Sequence, residues 1–328
     1  MPILNGPLSA ARQGSRFAPE VQPTVKSSLV SVIIPAYNHE RFVGPAIESV
    51  LQQSHANIEL IVVDDGSTDA TARVIKSYAD PRLRYVYEEN QDAYNALNNG
   101  LALARGEFVA ILNSDDIFAR TRLECLLAAQ EESGAQCLFT RVRLIDDDGR
   151  ELTDPELWWN RWYEDGLRRF TDCGDLYTTF LQRNVLVTTS NLFLTRAAVQ
   201  RVGQFCPLRY LHDYDYMFRA LLALPGQVRF LHDAPLLCYR IHQSNTISEA
   251  AISGREQDQA VIRKYLLARM PEELQPLVDA GTGRLVELER ELLQERLRRD
   301  GAPLPGIRVQ AGNLLKSCGR RLREKLRR

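Results

Sequence analysis

Apolar residues in this chain fall in short unbroken runs between polar turns. Val30, Val32, Ile33 and Ile34 form one run, closed by Pro35. Ile58, Leu60, Ile61, Val62 and Val63 form a second, closed by Asp64-Asp65-Gly66-Ser67. Runs rich in β-branched residues and lacking alternation fit parallel strands buried on both faces. Between the two, Phe42, Ala46, Ile47, Val50 and Leu51 recur at helical spacing. The order continues with a helix over 72–79, a strand over 83–87, a helix over 93–104 and a strand over 108–112. A helix over 120–133 and a strand over 137–145 follow, the latter ending in the turn Asp146-Asp147-Asp148-Gly149. Such alternation predicts an α/β fold, a Rossmann-like doubly wound and mostly parallel sheet with helices on both faces.

Periodicity fades over 152–186, where Trp158, Trp159, Trp162 and Tyr163 cluster, and an irregular, partly helical insert is expected. A short strand over 191–194, a helix reaching Gly203, a helix over 212–224 and strands over 228–231 and 236–241 come next. Beyond Gly254 the chain turns helical, charged and free of strands. Gly281-Thr282-Gly283 is expected to divide two helices, and Ala302-Pro303-Leu304-Pro305-Gly306 to act as a linker.

Composition narrows this only a little. With 328 residues the chain can hold one large α/β domain and an appendage. Its 41 basic and 42 acidic residues create no global field for nucleic acid. The six cysteines form no C-x-x-C pair, which fits reduced thiols in a cytoplasm better than zinc or disulfides. No apolar run approaches the ~20 residues that span a bilayer, and residues 1–28 read as a loose leader rather than a signal peptide.

Ligand crevices of open parallel sheets lie beyond the carboxyl ends of the strands. Tyr37-Asn38-His39-Glu40 and the run from Asp64 to Asp69 both follow strand ends, and so should face one crevice built for a nucleotide or a sugar. Asn113-Ser114-Asp115-Asp116 follows a third buried strand. Carboxylates there could hold a hard divalent cation against a departing diphosphate, or Ser-Asp-Asp could simply cap a helix. Asp64-Asp65-Gly66-Ser67 likewise has the chemistry of a plain turn. Asp213 and Asp215 open a predicted helix, where acids can serve as a base or merely oppose the helix dipole.

These motifs resemble those of an inverting family 2 glycosyltransferase with a GT-A fold, a class that uses nucleotide-sugars. The family's P-x-Y/F-N stands as Pro35-Ala36-Tyr37-Asn38, and its D-D-G-S-x-D as Asp64 to Asp69, with the resemblance running from about Leu29 to Ser248. It implies a donor site made of Pro35, Tyr37, Asn38, Asp65, Asn98, Asn113, Ser114 and Asp115, with Tyr37 and Asp65 at the base. It implies Mn2+ or Mg2+ held mainly by Asp115, with Asp116 adjacent and His242 reaching back from Tyr239-Arg240-Ile241-His242. Asp213 would be the general base, from the family's E-D pair.

Four positions depart from the pattern: Asp92 replaces a Gly, Leu97 an Arg that is frequent there, Asn113 the first acid of D-x-D, and His212 the Glu of E-D. The implied organisation is a leader over 1–28, a GT-A domain over 29–250 and a helical extension over 251–328. Within the domain, 29–116 is the nucleotide half and 117–250 the acceptor half. The implied activity is metal-assisted transfer of a sugar to a hydroxyl, in bacterial surface polysaccharide or lipid-linked glycan assembly.

The alternative is a non-catalytic nucleotide-sugar-binding scaffold; a nucleotidyltransferase would carry a Gly-rich basic loop after the first strand, where Tyr37-Asn38-His39-Glu40 stands. Expected partners are a nucleotide-sugar donor and a glycan or lipid-linked acceptor. The basic, amphipathic tail over 308–328 could touch the inner face of a membrane. Leu285, Leu288, Leu292 and Leu293 could pair the extension with a second copy.

Overall fold

The structure, a computed structural model, describes residues 28–242 and, apart from isolated positions, 253–291. The leader short of Ser28, the 302–306 linker, the 308–328 tail and Leu285, Leu292 and Leu293 lie outside the described residues. Eight strands form one sheet: β1 (Val30–Ala36), β2 (Ile58–Asp65), β3 (Leu83–Glu88), β4 (Phe108–Ile111), β5 (Ile117–Phe118), β6 (Cys137–Ile145), β7 (Phe193–Thr195) and β8 (Val228–Arg240). Their order across the sheet is β3-β2-β1-β4-β7-β6-β8-β5. Pairs β1/β2, β2/β3, β1/β4 and β6/β8 are parallel, and β4/β7, β6/β7 and β5/β8 antiparallel.

The helices are α1 (Val43–Leu51), α2 (Thr71–Lys76), α3 (Ala93–Leu103), α4 (Arg122–Ser133), α5 (Trp158–Cys173), α6 (Leu176–Gln182), α7 (Arg196–Val202), α8 (His212–Ala223) and α9 (Ser253–Leu267). Side chains of a strand alternate between faces, and both faces of β1 are covered. Val30, Val32, Ile34 and Ala36 pack with residues of α1, α2, α4 and α5. Ile33 packs with α3 on the other side, where α6, α7, α8 and α9 extend the layer. Helices on both faces explain why these strands read as continuous apolar runs. Gly100 lets α3 approach: a Cβ there would meet Ile33 Cγ2 at 2.3 Å.

Pro35 does not close the first strand, which continues to Ala36. Val30 N–H donates to Asn57 on the β2 side, whereas Ile33 C=O accepts from Leu112 on the β4 side. By that alternation the missing N–H of Pro35 faces β4, whose pairing with β1 ends at Ile33. Proline therefore sits where no ladder bond is lost.

One expectation is made specific and two others give way. The 152–186 insert contains the sixteen-residue α5, whose Trp159, Trp162, Tyr163, Gly166 and Phe170 recur at helical spacing among charged residues. The two strands expected over 228–231 and 236–241 are one strand, bent where its register against β6 shifts near Arg141 and Pro235. Gly281 and Gly283 are both helical. The start of the extension also docks on the domain: Tyr265 of α9 stacks on Phe218 of α8 at 4.5 Å, and its C=O accepts from Tyr177 Oη at 2.7 Å. Among the described residues, no helix is long and apolar enough to cross a membrane.

Candidate active site

Strands β1, β2 and β4 run parallel, so Tyr37, Asp65 and the 113–116 loop emerge along one edge of the sheet, as crevice geometry requires. The first two turns are tied together. Asn38 N–H donates to Ser67 Oγ at 3.0 Å and Asn38 Oδ1 accepts from Thr68 N–H at 2.8 Å. Glu40 Oε2 accepts from Ala70 N–H, and His39 N–H donates to Thr71 Oγ1, both at 2.8 Å. Gly66 makes the second turn at φ +75°, in the region glycine enters freely. Tyr37 is left outside this lacing and is 45% exposed at the crevice.

Asp65 lies at the floor of the same corner, accepting from Gln91 N–H at 2.8 Å. Burial, reinforced by nearby Glu88, Asp92 and Asp64, pushes its carboxyl up to about 6, although the Gln91 bond works the other way. Asp64 faces inward and accepts from Ser67 N–H and Tyr85 Oη. Asp92, which opens α3, has φ 74° and ψ 151°, a combination that is almost restricted to glycine. Its side chain meets Arg209 at 3.2 Å.

At the end of β4 the two neighbouring acids diverge. His39, Asp115 and His242 bring ligand atoms within 4.8 Å of one another. Asp115 Oδ2 lies 3.0 Å from His242 Nε2, and Ser114 Oγ lies 2.7 Å from His39 Nδ1. Burial opposes charge on Asp115, but the His242 hydrogen bond and the two imidazoles hold its pKa below the usual carboxylate value. Burial also lowers the pKa of His39, favouring the neutral imidazole that ligates metals. Two imidazoles and one carboxylate, His39 half-buried and the other two buried, fit a divalent transition metal, and nitrogen donors suit Mn2+ better than Mg2+.

Asp116 does not join them. Its Oδ2 accepts from Ser190 Oγ at 2.5 Å and Thr188 Oγ1 at 3.2 Å, and its Oδ1 from Arg240 N–H at 2.9 Å. Burial and the Asp115 charge push its pKa well above the usual value. Its two oxygens are thus engaged by Ser190, Thr188 and Arg240, apart from the cluster of His39, Asp115 and His242.

Other residues expected at the donor site also have partners within the protein. Asn98 Nδ2 donates to Phe205 C=O at 2.9 Å and its Oδ1 accepts from Phe205 N–H at 2.8 Å, so it anchors the loop before α8. Asn38 Oδ1 is taken up by Thr68, and Pro35 is buried in β1. Asn113 donates from Nδ2 to Thr188 Oγ1 and from its N–H to Ser190 Oγ. Arg240 sends its guanidinium to backbone oxygens of Asp115, Asp146 and Asp147.

A buried turn that sequence reasoning passed over organises this side. Thr188 and Ser190 hold Asp116, while Thr189 Oγ1 lies 3.1 Å from His212 Nε2 at the start of α8. Val187 enters the turn at φ 72°, an unusual value for a β-branched residue. Asn191 accepts from the fully buried Arg122 and from Thr140 N–H, and donates to the C=O groups of Thr140 and Leu186. Beside His212, Asp213 is buried, and that burial raises its pKa. Burial pushes the pKa of Tyr239 well above its usual value, and the charges of Asp116, Asp115 and Asp213 push the same way.

Asp215 is committed elsewhere. It accepts from Tyr265 Oη at 2.6 Å, Arg219 Nε at 2.8 Å, Lys264 Nζ at 3.0 Å and Cys206 Sγ at 3.0 Å. Burial alone would raise its pKa, but these donors hold it far below the usual range. It is a tether for α9 and has no free oxygen for a reaction.

A mostly parallel sheet with an Asp–His cluster and a buried acid along one edge has the GT-A fold of the solved glycosyltransferases it is similar to. Residues 31–182, just under half of the chain, match the glycosyl transferase family 2 model. An uncharacterized glycosyltransferase of Nostoc sp. is 29% identical over 232 residues, 70% of each chain. The putative teichuronic acid biosynthesis glycosyltransferase TuaG of Bacillus subtilis is 42% identical over 127 residues, 38% of this chain and 50% of its own. In fold the chain is similar to TarS 1–349 of S. aureus in complex with UDP-GlcNAc, with a TM-score of 0.57 at 20% identity, covering 75% of this chain and 69% of that one.

Proposed function

We propose that the protein transfers a sugar from a nucleotide-sugar to an acceptor hydroxyl with inversion at the anomeric carbon. The observation that carries this reading is the convergence of His39, Asp115 and His242 beside the crevice that also receives Tyr37 and Asp65. Tyr37 lies against the base and Asp65 accepts its N–H. His39, Asp115 and His242 would hold Mn2+, and Ser114 sets the His39 ring. The metal, when bound, neutralises charge on the diphosphate. Asp213 takes the proton of the acceptor hydroxyl as its oxygen bonds to the anomeric carbon, and the nucleoside diphosphate leaves with the bonding pair. One displacement gives inversion without a covalent enzyme intermediate.

Assembly of a bacterial surface polysaccharide is the setting this reading favours, in keeping with the name of the Bacillus relative. The domain limits expected from sequence are kept, with α9 counted as docked on the acceptor half. The test is transfer from UDP- and GDP-sugars with Mn2+ or EDTA, with the anomeric configuration followed by proton NMR. Retention of configuration, or transfer undiminished by EDTA, would refute it.

A further inference from the structure

The donor site leaves the three tryptophans of α5 without a role. Trp158 is 57% exposed, a costly position for a large apolar ring. It stacks on Trp162 with centroids 6.2 Å apart and planes at 25°. Trp159 stands edge-on to both, at 5.0 and 5.7 Å, and on its other side meets Tyr239 at 5.8 Å. Tyr239 precedes Arg240, whose N–H donates to Asp116. A row of aromatic rings therefore leads from solvent to Tyr239 of β8, the neighbour in sequence of the residue whose N–H holds Asp116.

We propose that Trp158, Trp159 and Trp162 form the acceptor platform, on which a ring of an uncharged glycan stacks with its hydroxyl directed toward Asp213. This deepens the transferase reading and rests on it. A pyranose offers an apolar C–H face and a polar rim, which suits an indole face edged by hydrogen-bonding groups. Arg161 and Glu156 supply such an edge, both largely exposed and 3.5 Å apart. Charge selects the occupant. Residues 151–175 hold seven acids (Glu151, Asp154, Glu156, Glu164, Asp165, Asp172, Asp175) against three arginines (Arg161, Arg168, Arg169). Arg141, paired with Glu164, and Arg183, which lies 5.6 Å from the Trp162 ring, add two positive charges, and the acidic excess that remains disfavours anionic lipid headgroups and phosphate polymers but not a neutral sugar. The platform also lies on the β6–β8 half of the sheet, away from the base corner at β1–β3.

The chain has only three tryptophans, all of them in this cluster, so its intrinsic tryptophan fluorescence reports on the platform alone. The full chain is titrated with neutral trisaccharides of glucose, galactose, mannose and N-acetylglucosamine, and separately with vesicles of zwitterionic and of anionic lipid. At least one trisaccharide should shift the emission, and Trp158→Ala should weaken that binding about 3- to 10-fold while Trp158→Phe keeps most of it. In transfer assays Trp158→Ala should raise acceptor KM by a similar factor, with donor Kd from calorimetry as the control. If no trisaccharide shifts the emission, or only vesicles do, the platform assignment is wrong whatever the enzyme does with donor. If a sugar binds at the tryptophans but no transfer occurs with any donor, the transferase reading fails instead.

Discussion

Asp115 Oδ2 lies 3.0 Å from His242 Nε2, while the carboxylate of Asp116, one residue on, accepts from Ser190, Thr188 and the Arg240 N–H. The two acids share a local sequence but not a task. Asp115→Ala should abolish Mn2+ binding, read by titration calorimetry, and leave the urea midpoint nearly unchanged. Asp116→Ala strands three buried donors, each costing about 1–3 kcal/mol when left unpaired. It should lower stability by at least that much. If Asp116→Ala proved as stable as wild type while losing metal, the assignments of the two acids would have to be exchanged.

A second prediction concerns the α9 tether. Asp215 binds Lys264, Tyr265 and Arg219 from a buried position. Breaking such a pair costs about 3–5 kcal/mol, and the 60% exposure of Lys264 moves the expected loss for Asp215→Asn toward the lower end. Because the folded-state pKa is lowered, the stabilisation is present above the ordinary carboxylate pKa near 4 and is lost as pH falls toward the lowered value. Asp215→Asn should therefore be less stable at pH 7 and show a shallower acid limb in urea titrations. A stability profile identical to wild type across pH 3–7 would exclude the tether.

Strain at Asp92 gives a third. Its dihedrals belong to glycine, and such strain costs on the order of 1–3 kcal/mol. Against that stand the flexibility a glycine adds to the unfolded chain, about 0.5–1 kcal/mol, and an exposed ion pair with Arg209 worth up to about 1 kcal/mol. Asp92→Gly should raise stability by roughly 1 kcal/mol in chemical denaturation. Asp92→Ala, which keeps the strain and loses the pair, should lower it.

The parallel half of the sheet was legible because burial on both faces writes itself locally, as apolar runs closed by polar strand ends. Where an outcome hung on distant partners, local pattern was silent. Asp116 is decided by Thr188 and Ser190, 72 and 74 positions along. Asp215 resembles Asp213 until α9 arrives to claim it. His39 sat in a polar cluster already singled out, yet nothing nearby marked it as a partner of His242. The two-residue β5 exists only through its pairing with β8. The α5 helix was hidden because its apolar stripe is aromatic and interrupted by arginines and acids.

A fourth prediction follows from the carboxyl of Asp65, pushed up to about 6 by burial first and by neighbouring acids second. The ionised carboxylate accepts an N–H from a base more strongly than the protonated acid does. Nucleoside diphosphate affinity should therefore rise with pH through about 6 and level off above 7. Asp65→Asn should flatten that rise and weaken binding at pH 7.5. Folding has the opposite sign: the raised pKa favours the protonated native state, so stability falls as pH climbs from about 4 to 6. Calorimetry at pH 5, 6 and 7.5 separates the two effects, and a pH-independent affinity would move the base away from Asp65.

The final prediction is Asp213, whose carboxylate is needed only when the acceptor loses its proton. Burial raises its pKa, which makes the ionised form a better base provided the working pH lies above that value. Its Oδ1 accepts from the Tyr214 N–H at 2.7 Å. Asp213→Asn keeps shape and an acceptor oxygen but removes basicity. Turnover should drop by ~100- to 10,000-fold while donor Kd and Mn2+ Kd stay within about twofold. The rise of kcat with pH, set in the wild type by this raised pKa, should vanish in whatever activity remains. Asp215→Asn is the contrasting variant: a less stable protein that, below its melting temperature, keeps most of its kcat. Were Asp215→Asn inactive while folded and Asp213→Asn active, the tether and the base would have been assigned the wrong way round. Full activity in both would remove general-base chemistry from α8 altogether.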